Sequence, residues 1–276
     1  MTMSDVFEGK VAIVTGGTSG IGYAVSEELL KRGATVWVIG SRQESVDKAR
    51  KSFAAYKNTR FLAVDVTVAD QVKGMIDACV EKDGRLDYLF NNAGIGMTHP
   101  SQYLTLEMWQ QAIDLNLWGV VYGVHFALPV MLAQKSGHIV NTSSIAGIVP
   151  LPSQAAYCAT KHAVTALTES LRYEFFEEGI AFTTICPSNV ATAIFGKADI
   201  PQDAIPAEEA ARIILEGVEK KEGIVIFPAY VKKMYERALT DQAFKEKFLL
   251  EYARRRNDGW RRGVPYLGAP MDLMEM

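Results

Sequence analysis

The sequence predicts a doubly wound α/β fold, a parallel sheet of about seven strands between two layers of helices. Short, predominantly apolar runs such as Leu86 to Phe90 recur along the chain, as expected of strands covered on both faces. Segments of helical periodicity separate them, the alternation that builds crossover units. A glycine-rich turn, residues 15–22, follows the first run and precedes the first helical pattern. A chain of 276 residues that is 49% apolar suits one domain with a single substantial core. Its sheet region is expected over about residues 8–228, with a helical extension over about 229–276.

Lys10 to Val14 reads as the first strand, and TGGTSGIG then opens a helix that runs through Lys31. In that setting Gly16 permits the tight turn, Gly20 lets the main chain approach a phosphate and Gly22 lets the helix pack closely on the sheet. The hydroxyls of Thr18 and Ser19, with the free amides of Ile21 and its neighbours, suit a pyrophosphate. Thr35 to Ile39 is the second strand and ends in Gly40-Ser41-Arg42, where a dinucleotide fold meets the adenosine ribose. An acid there would repel a 2′-phosphate, whereas Ser41 and Arg42 would receive one. Gln43 to Tyr56 reads as helix and Phe61 to Val64 as the third strand. Asp65, with Val66 beside it, follows where an adenine amino group could be held. Thr67 with Asp70 resembles a helix start, continuing to about Lys82. Leu86 to Phe90 is the fourth strand and ends in Asn91-Asn92-Ala93-Gly94, amides to pin the sheet edge and small residues where the chain runs close to a ligand. A helical stretch from Thr105 to Gln134 carries Asn116 among apolar neighbours, a buried amide that a distorted turn with an ordered water would satisfy.

His138 to Thr142 is the fifth strand, which delivers Ser144, and Ser153 to Glu177 is the helix after it. Tyr157 and Lys161 are four apart and share one face of that helix, an acid/base constellation. A free phenol with a pKa near ~10 is a poor proton carrier at neutrality. Lowering it by roughly three units needs about 4 kcal/mol of preference for the phenolate, which a partly desolvated Lys cation and a helix N-terminus can supply. Val164, Leu167, Leu171 and Phe175 repeat at helical spacing as core or subunit-contact surface. Ile180 to Cys186 is the sixth strand, and residues 193–205 form an irregular segment suited to a lid. Pro206 starts a helix that ends before Gly223, and Gly223 to Pro228 is the seventh strand. Residues 230–256 read as helical, packing across the sheet edge or over the pocket, with Tyr235, Phe244, Phe248 and Tyr252 as core. Ala253 to Arg256, with Arg261 and Arg262, reads as a solvated face or intersubunit contact.

A net charge of −3 gives no basic footprint for nucleic acid. The N-terminus is too acidic for a secretory signal and no apolar run reaches membrane-spanning length, so a cytoplasmic protein without membrane partners is expected. Cys79, Cys158 and Cys186 are isolated, which argues against a disulfide scaffold or a metal site.

Together these residues resemble the short-chain dehydrogenase/reductase family, whose fold is a Rossmann-type sheet. The resemblance rests on TGGTSGIG (15–22), Asp65, NNAG (91–94), Asn116, NTSSIAG (141–147) and YCATK (157–161), in that order. It implies that Tyr157 is the acid/base, that Lys161 lowers its pKa and binds the nicotinamide ribose, and that Ser144, at the family's separation from the Tyr, orients the substrate oxygen. Asn116 would hold a water in the proton relay. Cofactor contacts would extend to Asn92, Ala93, Gly94, Pro187, Val190 and Thr192; the family's Pro-Gly after the sixth strand is Pro187-Ser188 here. The expected cofactor is NADP(H), with NAD(H) as the competing possibility, and a homo-oligomer, dimer or tetramer, is implied. The expected reaction interconverts a secondary alcohol and a ketone. A catalytically silent dinucleotide-binding regulator, an enoyl reductase and an epimerase are the alternatives. Ile95, Gly96, Met97, Ile145, Ile148, Val149, Leu151, Ile194 and Phe195 should border the nicotinamide, and no Arg or Lys stands among them. An uncharged, largely hydrophobic small-molecule substrate is therefore expected, with His99 and Tyr103 available for one polar contact.

Overall fold

In the computed structural model, which describes residues 5–192 and 200–263, nine strands are present among those residues. They are β1 (Val11–Val14), β2 (Thr35–Gly40), β3 (Thr59–Ala63), β4 (Tyr88–Asn91), β5 (Gly137–Thr142), β6 (Ile180–Pro187), β7 (Val190–Ala191), β8 (Ile205–Pro206) and β9 (Ile224–Phe227). Seven form one sheet in the order β3-β2-β1-β4-β5-β6-β9, every neighbouring pair parallel. β7 and β8 pair separately beyond the end of β6. The helices are α1 (Gly20–Lys31), α2 (Gln43–Ser52), α3 (Ala69–Asp83), α4 (Leu106–Ile113), α5 (Gly119–Gln134), α6 (Ala155–Glu174), α7 (Ala207–Glu219), α8 (Ala229–Thr240) and α9 (Gln242–Arg261).

Successive strand residues feed opposite cores, so the strands need apolar side chains throughout rather than at alternate positions. Val14, Val38 and Phe90 join Leu29 of α1 and Ile214 of α7 on one face. Ile13, Ile39 and Leu89 join Ile76 of α3, Val120 of α5 and Val164 of α6 on the other. Leu167, Leu171 and Phe175 pack against this second core. The doubly wound arrangement expected from the sequence is thus the one found.

Departures from expectation have local causes. Thr67 does not cap α3, whose N-cap is Val68; instead its amide and hydroxyl donate to Asp65 Oδ1 at 3.0 and 2.7 Å, closing the turn after β3. The C-terminal helix breaks in two at Asp241, whose carboxylate accepts the Phe244 amide at 2.8 Å and so caps a new helix. α8 and α9 bury Val231, Met234, Phe244, Phe248 and Tyr252 against Ile145 and Val149, over the loop after β5. Of the expected lid, Ile194 and Phe195 lie outside the described residues, as does the end of the extension after Gly263.

α4, a π-helical turn (Asp114–Trp118) and α5 are continuous. The resulting 29-residue run, Leu106–Gln134, is long and apolar enough to cross a membrane, contrary to the expectation that no run reaches that length. Its apolar character serves the core, since Val120, Val124, Ala127 and Met131 are buried against the sheet.

A chain of buried polar groups crosses from sheet to helix. Asn91 Nδ2 donates to Asn141 Oδ1 at 2.9 Å, Asn141 Nδ2 donates to Thr168 Oγ1 at 2.9 Å, and Thr168 Oγ1 donates to the Val164 carbonyl at 2.7 Å. It ties β4 and β5 to α6. Asn141→Ala strands the Asn91 amide in the core, and a loss of about 2 kcal/mol is expected in urea unfolding. A loss below about 0.5 kcal/mol would show that the chain adds nothing to stability.

Candidate active site

The strand order reverses between β1 and β4, and a crevice opens there beyond the C-terminal strand ends. A cleft of about 800 Å³ occupies it. Gly16, Thr18, Ser19, Ser41 and Arg42 line one part of it, and Asp65, Val66, Ala93 and Gly94 line another. Gly16 has φ +64°, and a Cβ there would stand 3.0 Å from the Ala93 Cα; a Cβ on Gly22 would stand 2.4 Å from the Gly16 carbonyl. Gly20 and Ile21 open α1, with the Thr192 side chain 3.2 Å from where a Gly20 Cβ would be.

Thr15 is a positioning residue that the sequence reading missed, although it begins the TGGTSGIG run. Its hydroxyl accepts the amides of Asn92 (2.9 Å) and Ala93 (3.0 Å), while Asn92 Nδ2 donates to the Thr15 carbonyl at 3.1 Å. These bonds hold the ends of β1 and β4 together. Ser45 and, from α4 and the π turn, Glu107, Gln110, Asp114 and Leu115 also line the cleft. Only Leu115, next to Asn116, carried a sequence signal.

The other end of the crevice brings Ser144, Tyr157, Lys161 and Asn116 together. The Ser144 hydroxyl is hydrogen-bonded to the Tyr157 side chain, donates to the Pro187 carbonyl at 3.4 Å and accepts the Ala146 amide at 3.2 Å. Ser143 turns the other way, into α6, donating to the Lys161 carbonyl at 2.8 Å and meeting Thr165 Oγ1 at 2.8 Å. Lys161 Nζ donates to the Thr142 carbonyl at 2.8 Å and lies 5.8 Å from the Tyr157 ring centroid. Asn116 sits in the π turn, as a distorted helix would allow, but its partner is protein: Oδ1 accepts the Ile95 amide at 2.9 Å and Nδ2 donates to the Ile95 carbonyl at 3.0 Å. A Cβ on Gly94 would fall 2.9 Å from Asn116 Oδ1 and 3.5 Å from Lys161 Nζ, so glycine keeps this corner open. Ser188 in place of the family's glycine causes no backbone strain, since it is not among the positive-φ residues and its amide donates to the Phe227 carbonyl at 2.9 Å.

Electrostatics here run against the lowered phenol expected from the sequence. Burial pushes the Tyr157 hydroxyl up to about 12, with the Ser144 hydrogen bond pulling in the opposite direction. Burial also pushes the Lys161 ammonium down to about 8. Desolvation dominates in the protein alone because both groups are buried.

On the substrate side, Met97 and Leu151 pack in one cluster with Tyr157, while Ile145, Ile148 and Val149 lie under α8 and α9. Tyr103 is exposed. The C-terminal helix brings one cation close to Leu151. α9 inserts Arg256, 2% exposed, against the loop before α6, where it donates to the Pro152 carbonyl. Arg254 and Arg255 pair with Glu251 on the outer side of α9. The basic run is therefore a solvated face at Arg254 and a buried group at Arg256.

Fold and cleft define an α/β dinucleotide-binding protein. A family model described as short chain dehydrogenase matches residues 10–203, and the chain belongs to that family. It is 33% identical over 197 residues to a cyclohexanol dehydrogenase of Acinetobacter sp., covering 71% of this chain and 78% of that one. A short chain dehydrogenase/reductase from Burkholderia phymatum in complex with NAD superposes with TM-score 0.75 at 25% identity, over 94% of this chain and 97% of that one. ElxO with NADP bound gives TM-score 0.73 at 29% identity, over 79% and 96%. The protein is accordingly an oxidoreductase of this family.

Lys161 yields a pH test on the protein without dinucleotide. Its folded pKa of about 8 lies below its ordinary value of 10.5, so between those limits the unfolded chain binds more protons than the native one. Stability must therefore rise with pH across that window. Relative to Lys161→Met, wild type is expected to gain roughly 3 kcal/mol between pH 7 and pH 10.5. A constant difference between the two unfolding free energies would show that Lys161 is not buried as a cation at neutral pH.

Proposed function

We propose that the protein interconverts a secondary alcohol and a ketone, with Tyr157 exchanging the proton at the substrate oxygen. What carries the reading is the placement of one phenol, hydrogen-bonded to Ser144 and one helical turn from a buried ammonium, beside a dinucleotide-sized cleft. A binding protein without chemistry has no use for that arrangement. The cyclohexanol dehydrogenase relative supports the same substrate class.

The cleft fits a nicotinamide dinucleotide on its own geometry: glycines stand where side chains would close it, and the N-terminus of α1 opens on it. Thr18, Ser19 and the amides of Gly20, Ile21 and Gly22 would hold the pyrophosphate, Asp65 and Val66 the adenine, and Lys161 the nicotinamide ribose. Asn92, Ala93 and Gly94 would border the cofactor, and Pro187, Val190 and Thr192 would border the carboxamide. When bound, the dinucleotide supplies the hydride donor or acceptor. Ser144 orients the substrate oxygen toward Tyr157, and Lys161 stabilises the phenolate when the proton leaves. Asn116, held by Ile95, keeps the π turn open for a water that passes protons outward. Met97 and Leu151 keep the reacting carbon in apolar surroundings.

Ser41 and Arg42 support NADP(H). Arg42 is the basic side chain among the described lining residues of the cleft, and no acid follows β2 at that point. Exposed Tyr173 and Phe176 at the end of α6 support a homo-oligomer.

Tyr157→Phe is expected to lower kcat at least a hundredfold with little change in dinucleotide affinity, whereas Lys161→Ala weakens both. A Phe variant that keeps more than a few per cent of the wild-type rate would remove Tyr157 from its role. For the cofactor, kcat/KM should favour NADPH over NADH, and Arg42→Ala should abolish that preference. A wild-type preference for NADH overturns the assignment of Arg42.

A further inference from the structure

Three buried side-chain atoms without a hydrogen-bond partner, Arg256 Nε, His99 Nδ1 and Gln154 Oε1, belong to residues that form part of, or bond to, one tripeptide, Pro152-Ser153-Gln154, just before α6. Arg256 donates to the Pro152 carbonyl and, at 2.7 Å, to Tyr252 Oη, and its guanidinium lies over the Tyr252 ring. Among the described residues no carboxylate pairs with it. His99 donates its amide to the Ser153 carbonyl at 2.7 Å, and its ring packs on Trp260, one turn beyond Arg256 on α9. Gln154 Nε2 donates to Thr98 Oγ1 at 2.9 Å. Ser153 itself has φ +58°, a left-handed conformation uncommon for serine, so groups from separate segments hold this turn against local strain. Tyr157 follows within the first turn of α6 and shares a packed cluster with Leu151 and Met97. Cys158, its neighbour, lies within the electrostatic reach of Arg256.

A buried guanidinium without counter-charge is costly, and further unmet polar atoms held by the same turn add to that cost. An opposite charge placed beside such a group offsets part of that cost. We propose that Arg256, His99 and Gln154 form a subsite for a carboxylate that the substrate carries away from its reacting carbon. The proposal deepens the alcohol/ketone reading and rests on it. Arg256 supplies the charge and a free N–H. The Thr98 hydroxyl can pair with either end of the Gln154 amide, so the free end adapts to the ligand. α9 brings both Arg256 and Trp260, and it seats on α8 and on Ile145 and Val149 through Phe244, Phe248 and Tyr252.

The test uses ketone pairs, each an oxo acid and its methyl ester, including 4-oxocyclohexanecarboxylate and 6-oxoheptanoate, with the full-length wild type, Arg256→Met and Arg256→Lys. Wild type is expected to favour the acid by at least tenfold in kcat/KM. Arg256→Met should erase that preference through KM for the acid, leaving the ester within about threefold of wild type, and Arg256→Lys should retain part of it. Wild type using the ester as well as the acid, or a Met variant that loses both substrates equally, overturns the subsite. Should the Met variant fail to fold, the wild-type preference and the Lys variant decide. Calorimetry of acid and ester binding to wild type separates the two proposals. Tighter acid binding without turnover contradicts the alcohol/ketone reading alone, and equal binding of the pair contradicts the subsite alone.

Discussion

A buried ammonium must be satisfied, and the way Lys161 is satisfied fixes the site. Its side chain is 3% exposed and donates a hydrogen bond to the carbonyl of Thr142, at the end of β5. That bond sets the rotation and height of α6 against the sheet. Tyr157, one turn earlier, then has to lie beside Ser144, two residues beyond Thr142. Ser143 adds a second tie from the same strand end to the Lys161 carbonyl and Thr165. Gly147 makes the approach possible, since a Cβ there would stand 2.1 Å from Ser143 Oγ and 2.6 Å from the Lys161 carbonyl.

The same logic of polar groups joining strand ends extends to the nucleotide side. Thr15 fastens the Asn92-Ala93 turn to β1, and Asn116 fastens Ile95 to the π turn. The Asn91–Asn141–Thr168 chain ties β4 and β5 to α6 through the core. Each of these residues stands at a C-terminal strand end or faces one. The rigid sheet thereby sets positions for groups that come from distant parts of the chain, which is what acid/base geometry requires.

Much of this was legible in the sequence because it depends on local period and spacing. Apolar runs gave the strands, and the four-residue step from Tyr157 to Lys161 gave a shared helical face. Asp241 also carried a local signal, an Asp three residues before Phe244, but the helical pattern on both sides hid the break. What the sequence concealed depends on burial and on long-range contact. The charge on Arg256 reads like that on its neighbours, and only the seating of α9 separates it from Arg254. The partner of Asn116 is a backbone segment twenty-one residues away. The direction of the Tyr157 shift follows from the depth at which packing leaves the phenol, which no spacing records.

That shift bears most directly on Tyr157 as the proton carrier, for a phenol near 12 is almost wholly protonated at neutral pH. A proton acceptor at Tyr157 requires that its pKa fall when the site is assembled with the oxidised dinucleotide. Carbon-13 labelling of the tyrosine Cζ, with Tyr157→Phe to assign its resonance, allows the titration to be followed by NMR with and without that dinucleotide. The account predicts a pKa near 12 for the protein alone and below about 9 in the complex. A resonance that still titrates near 12 with the dinucleotide bound would contradict it.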